Sequence, residues 1–306
     1  MNDLRQQEPA DFNPQDYFTP RFPDASTPAF PTLEAQPHSR RVPHLGHAIL
    51  FIVITAILFA IVGRIFVYAH HPHGRQEALL LIQQPRTAVL IELVTYVLAL
   101  IIAALLFPLF WDRPFSTGIQ WNAATARRLA VRIIPAGIVL SYAVELLQSR
   151  LPQPEKMPID NFFRHPADVW LITAFGTLLA PAFEEILFRG FLLPAFAIAW
   201  DWLTLSRNNP EAILRWQTTD TLSRPALLFS TILTSLGFIA LHGAQYAYSP
   251  TALASLFFVS LIFTWTRLRL HSVAASALLH ASYNFSVFLL LFTVTGGYRH
   301  LDRLTH

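Results

Sequence analysis

The chain has 306 residues, 53% of them hydrophobic and only 13% charged, against about 25% charged in an average soluble domain. Lysine occurs once, at Lys156, while phenylalanine occurs 25 times and the mean hydropathy is +0.41, so a soluble globular surface is excluded. Cysteine is absent, which excludes disulfides, thiolate metal sites, a thiol nucleophile and Cys lipidation. The net charge of +3 comes from scattered arginines, without the basic stripe that nucleic acid requires.

Residues 1–46 carry eight prolines, from Pro9 to Pro43, and show no helical period. Proline at that density removes backbone donors and blocks continuous helix, so this segment reads as a disordered, water-facing arm. It also lacks the charged start and apolar stretch of a cleavable signal peptide.

From there on, apolar runs alternate with short polar ones, and a spanning helix needs about 20 mostly apolar residues. Ala48–Ala69, Ala88–Trp111 and Leu129–Gln148 qualify, giving an N-terminal group of transmembrane helices over 47–150. Val169–Phe188 qualifies apart from an acidic pair, and Gly190–Leu203 is short enough to be either a tilted crossing or a half-membrane segment. Pro225–Leu241, Thr251–Thr266 and Ser272–Thr295 follow, with a short tail at 296–306. The expected fold is an all-α polytopic membrane bundle of about eight segments, or seven if Gly190–Leu203 does not cross. The positive-inside rule assigns Arg40, Arg41, Arg113, Arg127, Arg128 and Arg132 to the cytoplasm, with both chain ends on that side.

Polar residues inside the apolar runs carry the chemical information, because a charge near the bilayer centre costs about 2.5–3.5 kcal/mol even on a lenient scale. The densest case is Pro181-Ala-Phe-Glu184-Glu185-Ile-Leu-Phe-Arg189-Gly190. Glu185 and Arg189 are four apart and share a helix face, so they can pair. Glu184 sits about 100° round the helix and faces elsewhere. Pro181 takes a hydrogen bond away from the carbonyl of Thr177, and Pro194 does the same to Gly190, so two helix-weakening points bracket the acids. A Glu–Arg pair that stitches helices together is one reading, but two acids against one base leave a carboxylate over.

His242 ends another apolar run, and His280 and Asn284, four apart, share a face of a third. An isolated His/Asn pair is commonly a helix–helix hydrogen bond. Three such intrusions on three separate helices point instead to one cavity. There, a carboxylate can act as general base on a bound water, histidines can orient that water, and an asparagine amide can donate to a developing oxyanion. This is a water-activating hydrolase constellation that needs no serine or thiol nucleophile.

Glu-Glu-x-x-x-Arg at 184–189, Phe-x-x-x-His at 238–242 and His-x-x-x-Asn at 280–284 resemble, in order and spacing, the CAAX-processing and bacteriocin-processing intramembrane proteases, the family of the Rce1-type prenyl-protein endopeptidases. The resemblance covers roughly 166–292 and implies a catalytic membrane domain with a glutamate-activated water. On that resemblance Glu184 would be the general base, His242 and His280 would position water and scissile carbonyl, and Asn284 would complete the oxyanion site. Glu185, Arg189 and Phe238 would be supporting residues. No cofactor is expected. Zinc, if any were bound, would sit on Glu184, His242 and His280, but the chain has no His-Glu-x-x-His motif. Nor does it carry the Gly-x-Ser-x-Gly or Gly-Asp signatures of other hydrolase types.

The expected function is therefore an intramembrane endopeptidase of the bacterial inner membrane, acting on a membrane-associated, CAAX-like or bacteriocin-type substrate. Two alternatives stand beside it: a transporter or proton relay, and a catalytically silent scaffold or immunity protein. The partners expected are the lipid bilayer and a peptide or membrane-attached protein, and nucleic acid is not among them. The clustering of polar residues in the C-terminal half, with Glu92 and Glu145 the only acids within the earlier spans, disfavours the paired halves common in transporters.

Overall fold

The computed structural model describes residues 41–152 and 157–304. The Pro-rich arm, up to residue 40, lies outside the described residues, as does the site of Lys156. Within them the chain is helical throughout, and seven helices have the length and hydropathy to cross a membrane: α1 (Leu45–Ala69), α2 (Pro85–Trp111), α3 (Ala123–Gln148), α4 (Pro166–Leu203), α5 (Arg224–His242), α6 (Pro250–Leu270) and α7 (Val273–Val294). The protein is a multi-pass integral membrane protein.

The count is seven because Val169–Phe188 and Gly190–Leu203 are one continuous helix of 38 residues. An odd number of alternating helices puts the start of α1 and the end of α7 at opposite ends of the bundle. The polar stretch 206–224 also holds a short helix, Pro210–Thr218, capped by the Asn209 side chain.

Helix starts follow the local chemistry. Asn122, Ser223, Ser249 and Ser272 accept from backbone amides of the first turns of α3, α5, α6 and α7, donors that hydrocarbon cannot satisfy. Proline opens α2, α4 and α6 at positions where its missing N–H costs nothing.

The bundle closes around α4 and α7. Phe51 of α1 stacks on Phe191 of α4 with ring centroids 4.6 Å apart. Tyr96 of α2 stacks on Phe183, 3.7 Å away. The α3–α7 crossing is so close that a Cβ on Gly137 would stand 2.7 Å from the Leu279 carbonyl, so only glycine fits. Val273 N–H and the Ser272 hydroxyl donate to the Gln120 and Asn122 carbonyls, which ties the start of α7 to the start of α3. After α7 the chain reverses through Gly296 and Gly297, both at positive φ, and buries Tyr298, whose hydroxyl lies 2.9 Å from that of Thr173 on α4.

Candidate active site

The middle of α4 departs from regular α-helix on both sides of the glutamates. Phe175–Leu179 and Ile186–Leu192 are π-helical, and Ala180–Glu185 between them is α-helical. The two widened turns fall just before Pro181 and Pro194, the expected weak points. Ala180 N–H bonds back to Phe175 O, five residues away, and Leu193 N–H does the same to Phe188 O. Wide turns of this kind let a helix absorb a proline ring without breaking, and they recur at functional sites.

The two glutamates have different surroundings. Glu185 is fully buried, and its carboxylate accepts from Arg189 Nη1 at 2.9 Å. The Ser276 hydroxyl lies 2.6 Å from its other oxygen, and His280 Nδ1 lies 3.1 Å from the first. Arg189 is also fully buried, and its other two nitrogens are engaged as well: Nη2 bonds Ser260 O and Oγ at 2.9 and 2.7 Å, and Nε lies 3.3 Å from Thr264 Oγ1. Ser260 Oγ passes a hydrogen bond on to Ser235 Oγ at 3.0 Å. One polar seam therefore runs through α4, α5, α6 and α7. The helix-stitching reading holds for this glutamate.

Glu184 takes no part in the seam. It is 9% exposed, and its Oε2 is buried without a hydrogen-bond partner among the described residues. Two imidazoles face that oxygen, His242 Nε2 at 3.8 Å and His280 Nε2 at 4.0 Å. The tautomer of His242 follows from its neighbour. Nδ1 lies 2.9 Å from the Phe238 carbonyl, which can only accept, so Nδ1 carries the proton and the neutral ring presents a bare Nε2. His280 is held the same way by the Glu185 carboxylate. Three acceptors thus converge on one point, at separations that suit a bridging water better than a direct contact.

The sequence-derived supporting residues lie around this point. The Phe238 ring lies 4.5 Å from that of His242 and 5.0 Å from the Arg189 guanidinium. Phe263, which the motifs do not include, stacks on His280 at 4.5 Å. Asn284 is placed differently from the others, with its Nδ2 donating to Gly176 O at 2.7 Å. The reason lies in the π turn. Ala180 N–H is spent on Phe175 O, and the next residue that could reach Gly176 O is Pro181, which has no N–H. Asn284 supplies the donor that the backbone lacks.

Several residues near the site escaped the motifs. Ser276 precedes His280 by four, and Ser260 precedes Thr264 by four; small hydroxyls repeating on one face of an apolar run were the available signal. Glu92 and Tyr96 of α2, and Tyr246 in the turn after α5, lie within electrostatic reach of Glu184.

The donor types at Glu184, His242 and His280 would suit zinc, at separations somewhat wider than those of a closed tetrahedral site. Ligands about 2.1 Å from one tetrahedral ion stand about 3.4 Å apart, closer than the 3.8 and 4.0 Å separations here. Among the described residues no group of three or more His, Asp or Glu side chains is disposed to share one metal ion.

None of the curated proteins and none of the solved structures compared with this chain matches it significantly. A family model does match, over residues 166–286, and its description is type II CAAX prenyl endopeptidase Rce1-like. That stretch contains Glu184, Glu185, Arg189, His242, His280 and Asn284, so the last four helices of this membrane protein carry an Rce1-like domain, which indicates a CAAX-type intramembrane peptidase.

Proposed function

We propose that the protein cleaves a peptide bond of a membrane-associated protein, of CAAX-like or bacteriocin type, with a water molecule activated by Glu184. One observation carries this reading: a buried carboxylate oxygen without a protein partner, faced by two imidazole nitrogens whose protons are committed elsewhere. A water bound there gives one proton to Glu184 and directs the other to a histidine Nε2. Its oxygen attacks the scissile carbonyl carbon, and the C–N bond breaks as Glu184 returns the proton to the leaving amine. The rings stay in place because the Phe238 carbonyl and the Glu185 carboxylate hold their Nδ1 atoms. Asn284 has a second Nδ2 proton for the oxyanion, and the bond of the first to Gly176 O fixes its direction.

The reading needs no metal, so a chelator should leave cleavage unchanged. The deciding variant is Glu184→Gln, assayed on a membrane-tethered CAAX-type peptide in vesicles. It should lose activity by about a hundredfold to ten-thousandfold, the share a general base commonly supplies, while inserting and folding as before. Undiminished cleavage by that variant would overturn the proposal.

A further inference from the structure

The membrane-facing side of α3 and α6 carries a feature that the peptidase chemistry does not use. A cavity of about 290 Å³ lies between these helices and α7. Ile133, Leu140, Ile262 and Leu279 are among its apolar walls, and Arg132 and Arg269 also line it. Among the described residues no acid lines it. Among the described residues, neither arginine has a hydrogen bond or ion pair. Arg127 and Arg128, about one turn before Arg132, line a second recess at the start of α3, again without an acid.

The placement of the two arginines is specific. Arg132 lies in the third turn of α3 and Arg269 in the last turn of α6. Since the start of α7, which follows directly on α6, is tied to the start of α3, both arginines belong to one end of the bundle. The apolar walls then run from that end towards the membrane interior, past Ile133 and Leu140 on one side and Ile262 on the other. Trp265, exposed on the same wall, is the residue type that favours the boundary between hydrocarbon and headgroups. Two guanidinium groups beside hydrocarbon need anions, and the described residues supply none there. A phosphate suits the planar, forked donors of arginine.

We propose that this groove binds one anionic glycerophospholipid, its phosphate held between Arg132 and Arg269 and one acyl chain laid along Ile133, Leu140 and Ile262. A zwitterionic headgroup would bring its own cation to the same arginines and bind less well. An isoprenoid chain would fill the apolar walls and leave both charges unmatched. Leu279, against which the chain lies, is the neighbour of His280, so the lipid rests on the helix that carries part of the site.

The test is quantitative lipid analysis of the full-length protein purified in mild detergent, followed by back-titration with phosphatidylglycerol or phosphatidylcholine. Wild type should retain anionic phospholipid above its share of the source membrane, and phosphatidylglycerol should raise its Tm more than phosphatidylcholine does. Each of Arg132→Gln and Arg269→Gln should weaken phosphatidylglycerol binding about fivefold, and the double variant roughly thirtyfold. Leu140→Trp, which fills the deep end and leaves both arginines in place, should also reduce retention. Equal retention by wild type and the double variant would overturn the site. So would full retention by Leu140→Trp, since the arginines would then only attract bulk anionic lipid. Preferential recovery of phosphatidylcholine or of an isoprenoid chain would overturn the choice of ligand.

Discussion

The first three helices and the last four bury their interiors by different means. In α1, α2 and α3 the buried residues are almost all apolar: Ala48, Phe51, Ala99, Ala103 and Phe107, with Thr87, Thr95 and Ser141 the buried polar exceptions. In α4 to α7 the interior holds Glu184, Glu185, Arg189 and His280, together with serines and threonines on all three later helices. Lipid tails are as apolar as leucine, so the first group gains its cohesion from close packing alone. The second group is held by a hydrogen-bonded network whose members would each be costly if left without a partner. The costly arrangement coincides with the part of the chain that matches a peptidase family. Two buried charged residues stand outside the network, Arg267 of α6 and Glu184, and of these Glu184 is the one that two imidazoles face.

Glu184→Gln sharpens this contrast most. If Glu184 serves reaction alone, the variant loses cleavage by the hundredfold or more given above, and its thermal stability holds or rises, since a buried charge without a protein partner has been removed. A fall in stability as large as that of a seam variant would show that Glu184 belongs to the network after all.

Arg189→Ala should produce the largest structural loss. It leaves the Glu185 carboxylate buried beside His280 without its cation, a change that typically costs about 3–5 kcal/mol. Adding Glu185→Gln to the Arg189→Ala variant should recover part of that loss, and thermal unfolding of the single and double variants measures the coupling. Strict additivity would mean that the pair does not hold the seam.

Asn284→Ala lies between these two cases, because its amide serves both the π turn and the proposed oxyanion. Removal should cost about 1–3 kcal/mol of stability from the orphaned Gly176 carbonyl. It should also lower kcat by about a hundredfold to a thousandfold with KM little changed. A loss of stability with kcat intact would confine Asn284 to the helix turn.

What could be read in the sequence follows the same division. Six of the eight apolar runs match candidate spans of their own and the other two are parts of a single helix, because hydropathy largely decides membrane crossing. Gly190–Leu203 reads as separate because Arg189 and Gly190 interrupt the run, yet all three Arg189 side-chain nitrogens bond to Ser260, Thr264 and Glu185, so the helix continues through it. The different fates of Glu184 and Glu185 were legible from the 100° between them. The link from Asn284 to Gly176 was not, since it joins residues 108 apart and exists only because a π turn left a carbonyl without its donor. Pro181 marked the place of that turn, and nothing local marked its partner. The arginine groove was equally hidden, because its walls join α3 to α6 and α7, more than 100 residues further along the chain.

The smallest expected effect tests the apolar half. Ala103 is fully buried in the cluster that includes Ala48, Phe51 and Phe107. Ala103→Leu adds volume where the first helices meet and should cost about 1–3 kcal/mol through overpacking. None of the seam's hydrogen bonds involves this residue, so thermal stability should fall while kcat per folded molecule stays at the wild-type value. That outcome would separate packing in the first helices from chemistry in the last four. If kcat fell along with stability, α1 and α2 would have to be counted as walls of the site, which would give Glu92 and Tyr96 of α2, both within reach of the Glu184 charge, a part in the reaction.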